Sequence, residues 1–371
     1  MKILMLVPSF EEKGPVIVAE NICRYSENKK IRYCFCSLRK NPPEIYKNII
    51  KEFNNTSCKI VELGMKKIPS FKTVREIEKL IEEEEIDIVH THAFWPTVLA
   101  SNIKNKKIIK ITTVHNNPFE DYFYEYGKII GSLMSNMFTK KLNGYDNVIA
   151  ISKYINNIYE RYQIASTVIY NGIEDYYKTK HIEKKVRFRL ITVSILNEIK
   201  NVIELLKILN ECINQDLNIE LVIIGDGKEY DCLKEYVQKN NLESYIFFMK
   251  QIERKKVFEE LYYSDAFIFA SKSEGFGLAV VEAEMMELPI IAYDIPVMHE
   301  IMKEETGYIV HNMYDAVKVI KELVKDKALV ISKGKAARKF YLESFTIEKM
   351  IKKYEDLYQL YGERRKNEYA Y

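Results

Sequence analysis

The sequence predicts an α/β protein built from two doubly wound halves, and three observations carry that expectation. The chain has 371 residues, too many for one ordinary core, since domains usually run to about 100 to 200 residues. Short apolar runs alternate with amphipathic stretches along most of its length, which is the pattern of parallel strands joined by crossover helices. The alternation occurs twice, on either side of NGIEDYYKTKHIEKK, a polar segment from Asn171 to Lys185 with no apolar period.

The first strand is expected at Lys2 to Val7, a short apolar run after one lysine that Pro8 stops. It is shorter than the apolar region of a secretory leader, and no small-residue cleavage site follows. Further strands of the first half are expected at Arg32 to Ser37, Lys59 to Glu62, Ile86 to His90, Ile108 to Val114, Asn147 to Ile151 and Thr167 to Ile169, with helical stretches between most of them. The second half opens at Phe188 to Val193 and continues with Ile219 to Ile224, Ile246 to Phe248, Ala266 to Phe269, Pro289 to Ala292 and Gly307 to Val310. The expected divisions are therefore a first domain over 1–172, a linker over 173–186 and a second domain over 187–345. The remainder, 346–371, spaces Ile347, Met350, Ile351, Tyr354, Leu357, Tyr358 and Tyr361 at three- and four-residue intervals, giving a helix with one apolar face. That face must pack on something, and the helix is expected to cross back to the N-terminal domain.

Composition excludes several classes. With 47% hydrophobic and 29% charged residues and only 13 Gly and 9 Pro, the chain is expected to be globular throughout. Fifty-six Lys plus Arg against 53 Asp plus Glu leave +3, far from the basic excess that phosphate-backbone binding needs, so no nucleic acid is expected as a partner. No run approaches the length of a membrane span. The six cysteines contain no Cys-x2-Cys pair and accompany no export signal, so reduced thiols and a cytoplasmic protein are expected, without a zinc site.

Two doubly wound domains bind ligands at the carboxyl ends of their strands, and the most informative segment, SKSEGFGLAVVEAEMMELPIIAY from Ser271 to Tyr293, follows a strand directly. Gly275 and Gly277 free backbone N–H groups to approach an anion, and a helix opening near Leu278 adds its N-terminal dipole, so this turn can cradle a phosphate. On one continuous helix Glu274 and Glu282 would stand roughly 12 Å apart, eight residues at 1.5 Å each. That is too far to flank one glycosidic bond as in a retaining hydrolase, and suits two grips on one elongated ligand.

Glu274-Gly275-Phe276-Gly277-Leu278 with a second acid at Glu282 resembles the Glu-x7-Glu signature of the family 4 retaining glycosyltransferases, which have the GT-B fold of two Rossmann-like domains facing across a cleft. The other landmarks occur in the family's order. Ile86-Asp87-Ile88-Val89-His90-Thr91-His92 resembles a strand ending in a cleft histidine, and Thr113-Val114-His115 the next strand end. Val148 to Ser152 and Val168-Ile169-Tyr170-Asn171-Gly172-Ile173 resemble the close of the first domain, Val193 to Lys200 the phosphate-binding stretch, and Gly225-Asp226-Gly227 the glycine turn. The resemblance implies a first domain that binds acceptor and a second that binds a nucleotide sugar, UDP-linked, with no cofactor and no metal. It assigns His115, Glu274 and Lys200 to catalysis: His115 steadies the sugar, Glu274 contacts it, and Lys200 neutralises the diphosphate. Glu282 would hold the ribose, with Gly14, Asn171, Gly225, Gly275, Phe276, Gly277 and Leu278 completing the donor site and His92 and Tyr122 on the acceptor side. The reaction implied is front-face transfer of a hexose-type sugar to a saccharide or lipid-linked saccharide hydroxyl in surface-polysaccharide assembly.

The sequence departs from the family pattern in three places. Lys13-Gly14-Pro15 has one Gly where the family often has two, Ile195 stands where an Arg is usual, and Lys250 stands where Gly is usual. An alternative reading is a sugar-nucleotide-binding subunit with little turnover of its own. His90 and His92 could also share one face of an extended segment as metal ligands, although no third ligand has a conventional spacing. The cluster Phe119, Tyr122, Phe123, Tyr124 and Tyr126 could stack on an acceptor sugar, pack in the core or face a membrane. The run Lys128 to Lys141, with Lys at both ends and Ile, Leu, Met and Phe between, fits an interfacial helix on the cytoplasmic membrane face as well as a core helix.

Overall fold

The computed structural model describes residues 1–11, 13–65, 70–177 and 187–368, the last four by backbone alone. The expected linker lies outside the described residues from 178 onward. The chain divides into two compact units, one of Met1–Gly172 with Ile347–Tyr371 and one of Ile173–Thr346.

Unit 1 contains seven strands, β1 (Lys2–Val7), β2 (Arg32–Ser37), β3 (Lys59–Glu62), β4 (Ile88–His92), β5 (Ile109–Val114), β6 (Asn147–Ala150) and β7 (Thr167–Val168). They form one parallel sheet in the order β3-β2-β1-β4-β5-β6-β7. Its helices are α1 (Gly14–Tyr25), α2 (Pro43–Glu52), α3 (Phe71–Glu83), α4 (Phe94–Ala100), α5 (Pro118–Leu142), α6 (Lys153–Glu160) and the C-terminal α14 (Ile347–Glu368). Strands covered on both faces need continuous apolar sequence, and β1 shows why. Ile3, Met5 and Val7 enter a core with α1 and α14, while Leu4 and Leu6 enter another with α3 and α4. The expected apolar face of the last helix lies in the first of these cores through Ile347, Met350, Ile351, Tyr354, Leu357 and Tyr358.

One strand is displaced from its expected place. The sequence places it at Ile86 to His90, but Asp87 serves as the entry clamp: its carboxylate accepts from the Lys2 N–H at 2.7 Å, and its own N–H donates to the Lys2 carbonyl at 2.9 Å. Pairing with β5 then carries the strand through His92 opposite Thr113.

Unit 2 repeats the plan with β8 (Phe188–Val193), β9 (Ile219–Ile224), β10 (Ile246–Lys250), β11 (Ala266–Phe269), β12 (Ile290–Tyr293) and β13 (Gly307–Val310), parallel and in the order β10-β9-β8-β11-β12-β13. Between and after them run α7 (Val202–Asn214), α8 (Tyr230–Lys239), α9 (Arg254–Tyr262), α10 (Leu278–Met285), α11 (Met298–Ile301), α12 (Met313–Lys325) and α13 (Lys327–Ser344). In both sheets the strand order reverses beside the first strand, at β1/β4 and at β8/β11. Connections diverge there and leave room at the carboxyl ends of the strands, where ligands of such sheets bind.

Candidate functional site

In unit 2 the loop after β8 and the turn after β9 are locked together. The Leu196 N–H donates to the Asp226 carbonyl at 3.0 Å and the Glu229 N–H to the Leu196 carbonyl at 3.1 Å. A Cβ on Gly225, whose φ is +139°, would stand 1.8 Å from the Ser194 carbonyl oxygen, and one on Gly227 would stand 2.3 Å from that of Leu196. The glycines are there because backbone meets backbone. Gly225, which the resemblance assigns to the donor site, has its N–H committed to the Lys250 carbonyl at 2.8 Å. It acts as a spacer holding the loop that ends in Lys200.

Lys200 closes that loop. Its N–H donates to Asn197 Oδ1 at 3.0 Å, and its ammonium pairs with Glu274 Oε1 from the loop after β11, both side chains being mostly buried. The two loops are tied again by the Lys272 N–H donating to the Ile199 carbonyl at 2.8 Å. Two residues assigned to catalysis thus form one ion pair beside the start of α10.

Helix α10 opens at Leu278 after Gly277, whose φ is 90° and which offers no side-chain cap. With Gly at the cap position, the first-turn N–H groups gain no side-chain acceptor and suit an anion. The Phe276 ring is buried and meets Phe345 edge-on at 5.7 Å, so it anchors the turn and leaves only its backbone for a donor. Glu282 lies further along α10 with its side chain only 13% exposed, 2.9 Å from Arg254 Nη2. Burial raises its pKa, and the Arg254 charge opposes that rise. Sequence reading missed Arg254. Its signal was the opening of α9 with Arg254-Lys255-Lys256, where helix dipoles favour acids.

Two of the departures from the family pattern are visible in the same unit. Ile195 is 63% exposed. Lys250 adopts the left-handed conformation that favours glycine, with φ 51°, at an irregularity in the β9/β10 pairing. Its ammonium lies 4.8 Å from the centre of the Tyr230 ring.

In unit 1 the ends of β4 and β5 bring three imidazoles together. His92 Nδ1 and His115 Nε2 share a hydrogen bond at 2.9 Å, and the His90 and His92 rings lie 4.5 Å apart. His90 is a structural residue: Nδ1 meets the Tyr358 hydroxyl at 2.6 Å, and Nε2 meets the Thr113 hydroxyl at 2.8 Å. With both nitrogens engaged it has none for a metal, and among the described residues no three His, Cys, Asp or Glu side chains converge as ligands. Burial holds all three rings neutral, lowering His90 and His115 to about 3 and His92 well below its usual range. His115 keeps part of its surface in solvent, so it is the one most open to a ligand.

His92 Nε2 is buried without a hydrogen-bond partner, and so is the side-chain oxygen of Asn171. Gly14 begins α1, with Lys13 giving no side-chain cap and Pro15 next in line. Tyr122 does not present an aromatic face for an acceptor. It is 7% exposed and packs edge-on against Phe94 at 5.4 Å and Phe138 at 6.3 Å, as a core side chain does.

Two parallel-sheet units of this topology, each reversing its strand order beside its first strand, make up a GT-B fold. Residues 13–175 match the model described as Glycosyltransferase Family 4, and residues 174–340 match that described as Glycosyl transferases group 1. The chain belongs to the family 4 glycosyltransferases. It is 26% identical to the O-antigen biosynthesis glycosyltransferase WclY of Escherichia coli, over 96% of this chain and 98% of that one. It is 24% identical to N-acetyl-alpha-D-glucosaminyl L-malate synthase of Bacillus anthracis, over 76% of this chain and 77% of that one. In fold it is similar to Anabaena HepE, solved with UDP and glucose (TM-score 0.77, 16% identity, 97% and 99% coverage). Sucrose-phosphate synthase of Thermosynechococcus elongatus is similar too (TM-score 0.79, 16% identity, 98% and 100% coverage).

Proposed function

We propose that this glycosyltransferase is a retaining hexosyltransferase that moves a sugar from a UDP-linked donor to a hydroxyl of a saccharide or lipid-linked saccharide during polysaccharide assembly. The observation that carries the reading is the Lys200–Glu274 pair beside the uncapped start of α10, with Glu282 four residues into that helix. In this reading the α10 N-terminus and Lys200 receive the diphosphate, Glu282 accepts from the ribose hydroxyls, and Glu274 orients the sugar. Charge on the leaving diphosphate grows as the glycosidic bond breaks, and groups already aimed at it stabilise that charge without reorganising. Unit 1 carries the acceptor. His115, neutral and hydrogen-bonded to His92, offers the sugar a polar contact without adding charge. No protein group forms a bond to the sugar: the acceptor hydroxyl attacks on the face the diphosphate leaves, and a phosphate oxygen takes its proton. The diphosphate is balanced by Lys200 and helix dipole without a metal ion. The WclY relative favours a polysaccharide setting, and the UDP complex of HepE favours a uridine donor.

The test is a screen of nucleotide sugars against saccharide acceptors, with the product's anomeric configuration read by NMR. A product with the donor's configuration, formed equally well with chelator present, is expected. Inversion at the anomeric carbon rejects the mechanism. Nucleotide binding without transfer across the screen favours the binding-subunit reading instead.

A further inference from the structure

At the carboxyl ends of β1, β2 and β3 one buried amide fixes two loops at once. Asn41 lies in the loop after β2 and is 6% exposed. Its side-chain oxygen accepts from the Phe10 N–H, in the loop after β1, at 2.7 Å. Its side-chain nitrogen donates to Glu62 Oε1, at the end of β3, at 2.7 Å and to the Ser37 hydroxyl at 2.9 Å, with the Arg39 carbonyl at 3.2 Å sharing these hydrogens. Glu62 Oε1 also accepts from the Asn41 backbone N–H at 2.8 Å. The Ser37 hydroxyl gives its own hydrogen to the Arg39 carbonyl at 2.8 Å, which leaves its lone pairs for the amide. A side-chain amide has one acceptor oxygen and one two-hydrogen donor, and here both ends are used. Turned over, it would set a donor against the Phe10 N–H and an acceptor against the Glu62 carboxylate, so its neighbours fix its orientation. An aspartate at position 41 would keep the bond to Phe10 but oppose a second carboxylate to Glu62.

The place of this network gives it a use beyond stability. The loop after β1 leads from Pro8 to Gly14, the first residue of α1, and leaves the sheet beside the β1/β4 reversal, where ligands of such sheets bind. The Phe10 ring anchors the loop's side chain, lying 4.9 Å from Phe35 and stacked at 6.5 Å on Tyr46. Its backbone is set by the amide. A buried polar network of this kind, with each group matched, rigidifies what it touches, and small displacements of a positioned group cost rate steeply. We propose that Asn41, oriented by Glu62, is a positioning residue for sugar transfer, holding the loop after β1, and with it the start of α1, in the place that transfer requires. The proposal rests on the reading of the chain as a hexosyltransferase with Gly14 in its donor site. Asn41 acts through the Phe10 backbone. Because that reading puts the nucleotide on unit 2, the effect of losing Asn41 falls on turnover and not on nucleotide affinity.

Wild type, Asn41→Asp, Glu62→Gln and the double variant of the full chain are compared by hydrogen exchange at the Phe10 amide and by steady-state transfer with calorimetric UDP affinity, all well below each protein's melting temperature. In Asn41→Asp the Phe10 amide is expected to exchange about tenfold faster or more, through local opening of the loop. Its kcat at saturating donor should fall about a hundredfold, as a displacement of about 1 Å can cause, while UDP affinity stays within about twofold of wild type. Glu62→Gln keeps Oε1 as an acceptor and should resemble wild type. In the double variant the new amide can donate to the new carboxylate, reversing the native pair, so kcat should recover about tenfold from that of Asn41→Asp. A role in stability alone would lower the melting temperature without moving kcat. Unchanged Phe10 exchange in Asn41→Asp overturns the proposal, as does unchanged kcat where exchange is faster, or a double variant no better than Asn41→Asp. If Asn41→Asp does not fold, Glu62→Ala, which strips only the half-buried outer acceptor, is read in the same measurements with the same directions expected and the same results overturning. A wild type that transfers no sugar overturns the functional reading, and the role in transfer with it, while the exchange comparison separates that failure from a failure of the Asn41 network.

Discussion

Glu282 is under two opposed influences, and the balance between them sets its charge. Burial raises its pKa while Arg254, at 2.9 Å, draws it back. The carboxylate is the form present above the folded pKa and is lost as pH falls through that value. Removing the guanidinium lets burial act alone, so the loss begins at higher pH. If Glu282 holds the ribose, Arg254→Met should weaken UDP binding near neutral pH by about 1 to 3 kcal/mol, the usual cost of stripping a partner from a buried charge-assisted bond. Its loss of affinity on acidification should start at higher pH than in wild type. Calorimetric UDP titrations from about pH 5 to about pH 8 read both effects, a span that covers a raised carboxyl. A variant profile parallel to wild type, merely offset, would show that Arg254 acts by touching the ligand itself. The spacing of two acids around Gly-Phe-Gly made Glu282 legible in the sequence. Arg254 was not, because its meaning depends on a partner 28 positions away that only folding supplies.

Elements were legible where local pattern and burial agree, and obscure where one element's position depends on another. Apolar runs located the strands because both faces of each sheet are covered, whereas the extension of β4 to His92 follows from pairing with β5, which no local pattern encodes. The exposure of Ile129, Ile130 and Leu133 on α5 was hidden for the same reason: the small residues Gly131 and Ser135 of that helix pack against its own first half. The glycine turn after β9 is a further case, since Gly-x-Gly suggests an anion site while its geometry is that of close backbone packing. Gly225→Ala should therefore be expressed as a stability defect of unit 2. A methyl group 1.8 Å from the Ser194 carbonyl oxygen, at φ +139°, forces the β8 and β9 loops apart. The cost should be about 3 kcal/mol or more, at the upper end of overpacking penalties. Thermal denaturation measures it, and UDP affinity should fall with it because Lys200 rides on the displaced loop. A variant as stable as wild type with reduced UDP affinity would show instead that Gly225 contributes to the donor site directly.

At the scale of the molecule, the chain leaves unit 1 after Gly172 and returns at Ile347 to complete that unit's core. Two cores of this size predict two unfolding transitions, and their responses to acid should differ. Among the described residues the imidazoles with strongly lowered pKa, His90, His92 and His115, belong to unit 1, whereas His299 and His311 of unit 2 are exposed. A histidine whose folded pKa is depressed takes up its proton on unfolding first. Its contribution to stability is complete above the unfolded value of about 6.5 and is lost as pH falls below it. Each such ring steepens the acid loss by up to about 1.4 kcal/mol per pH unit down to its folded pKa. Tyr358→Ala, which removes a fully buried ring from the unit 1 core, identifies that unit's transition by lowering it about 3 to 5 kcal/mol. That transition should fall faster than the other between about pH 6.5 and about pH 4.5 in scanning calorimetry, a window set by the depressed histidines. His90→Gln should be less stable than wild type at neutral pH, having lost the fitted bonds to Tyr358 and Thr113. Its acid slope should nonetheless be shallower by about 1.4 kcal/mol per unit, because one titrating ring is gone. Equal slopes in wild type and His90→Gln would mean that His90 is charged inside the fold, and the hydrogen bonds around it would then have to be reassigned with the imidazolium donating to both hydroxyls.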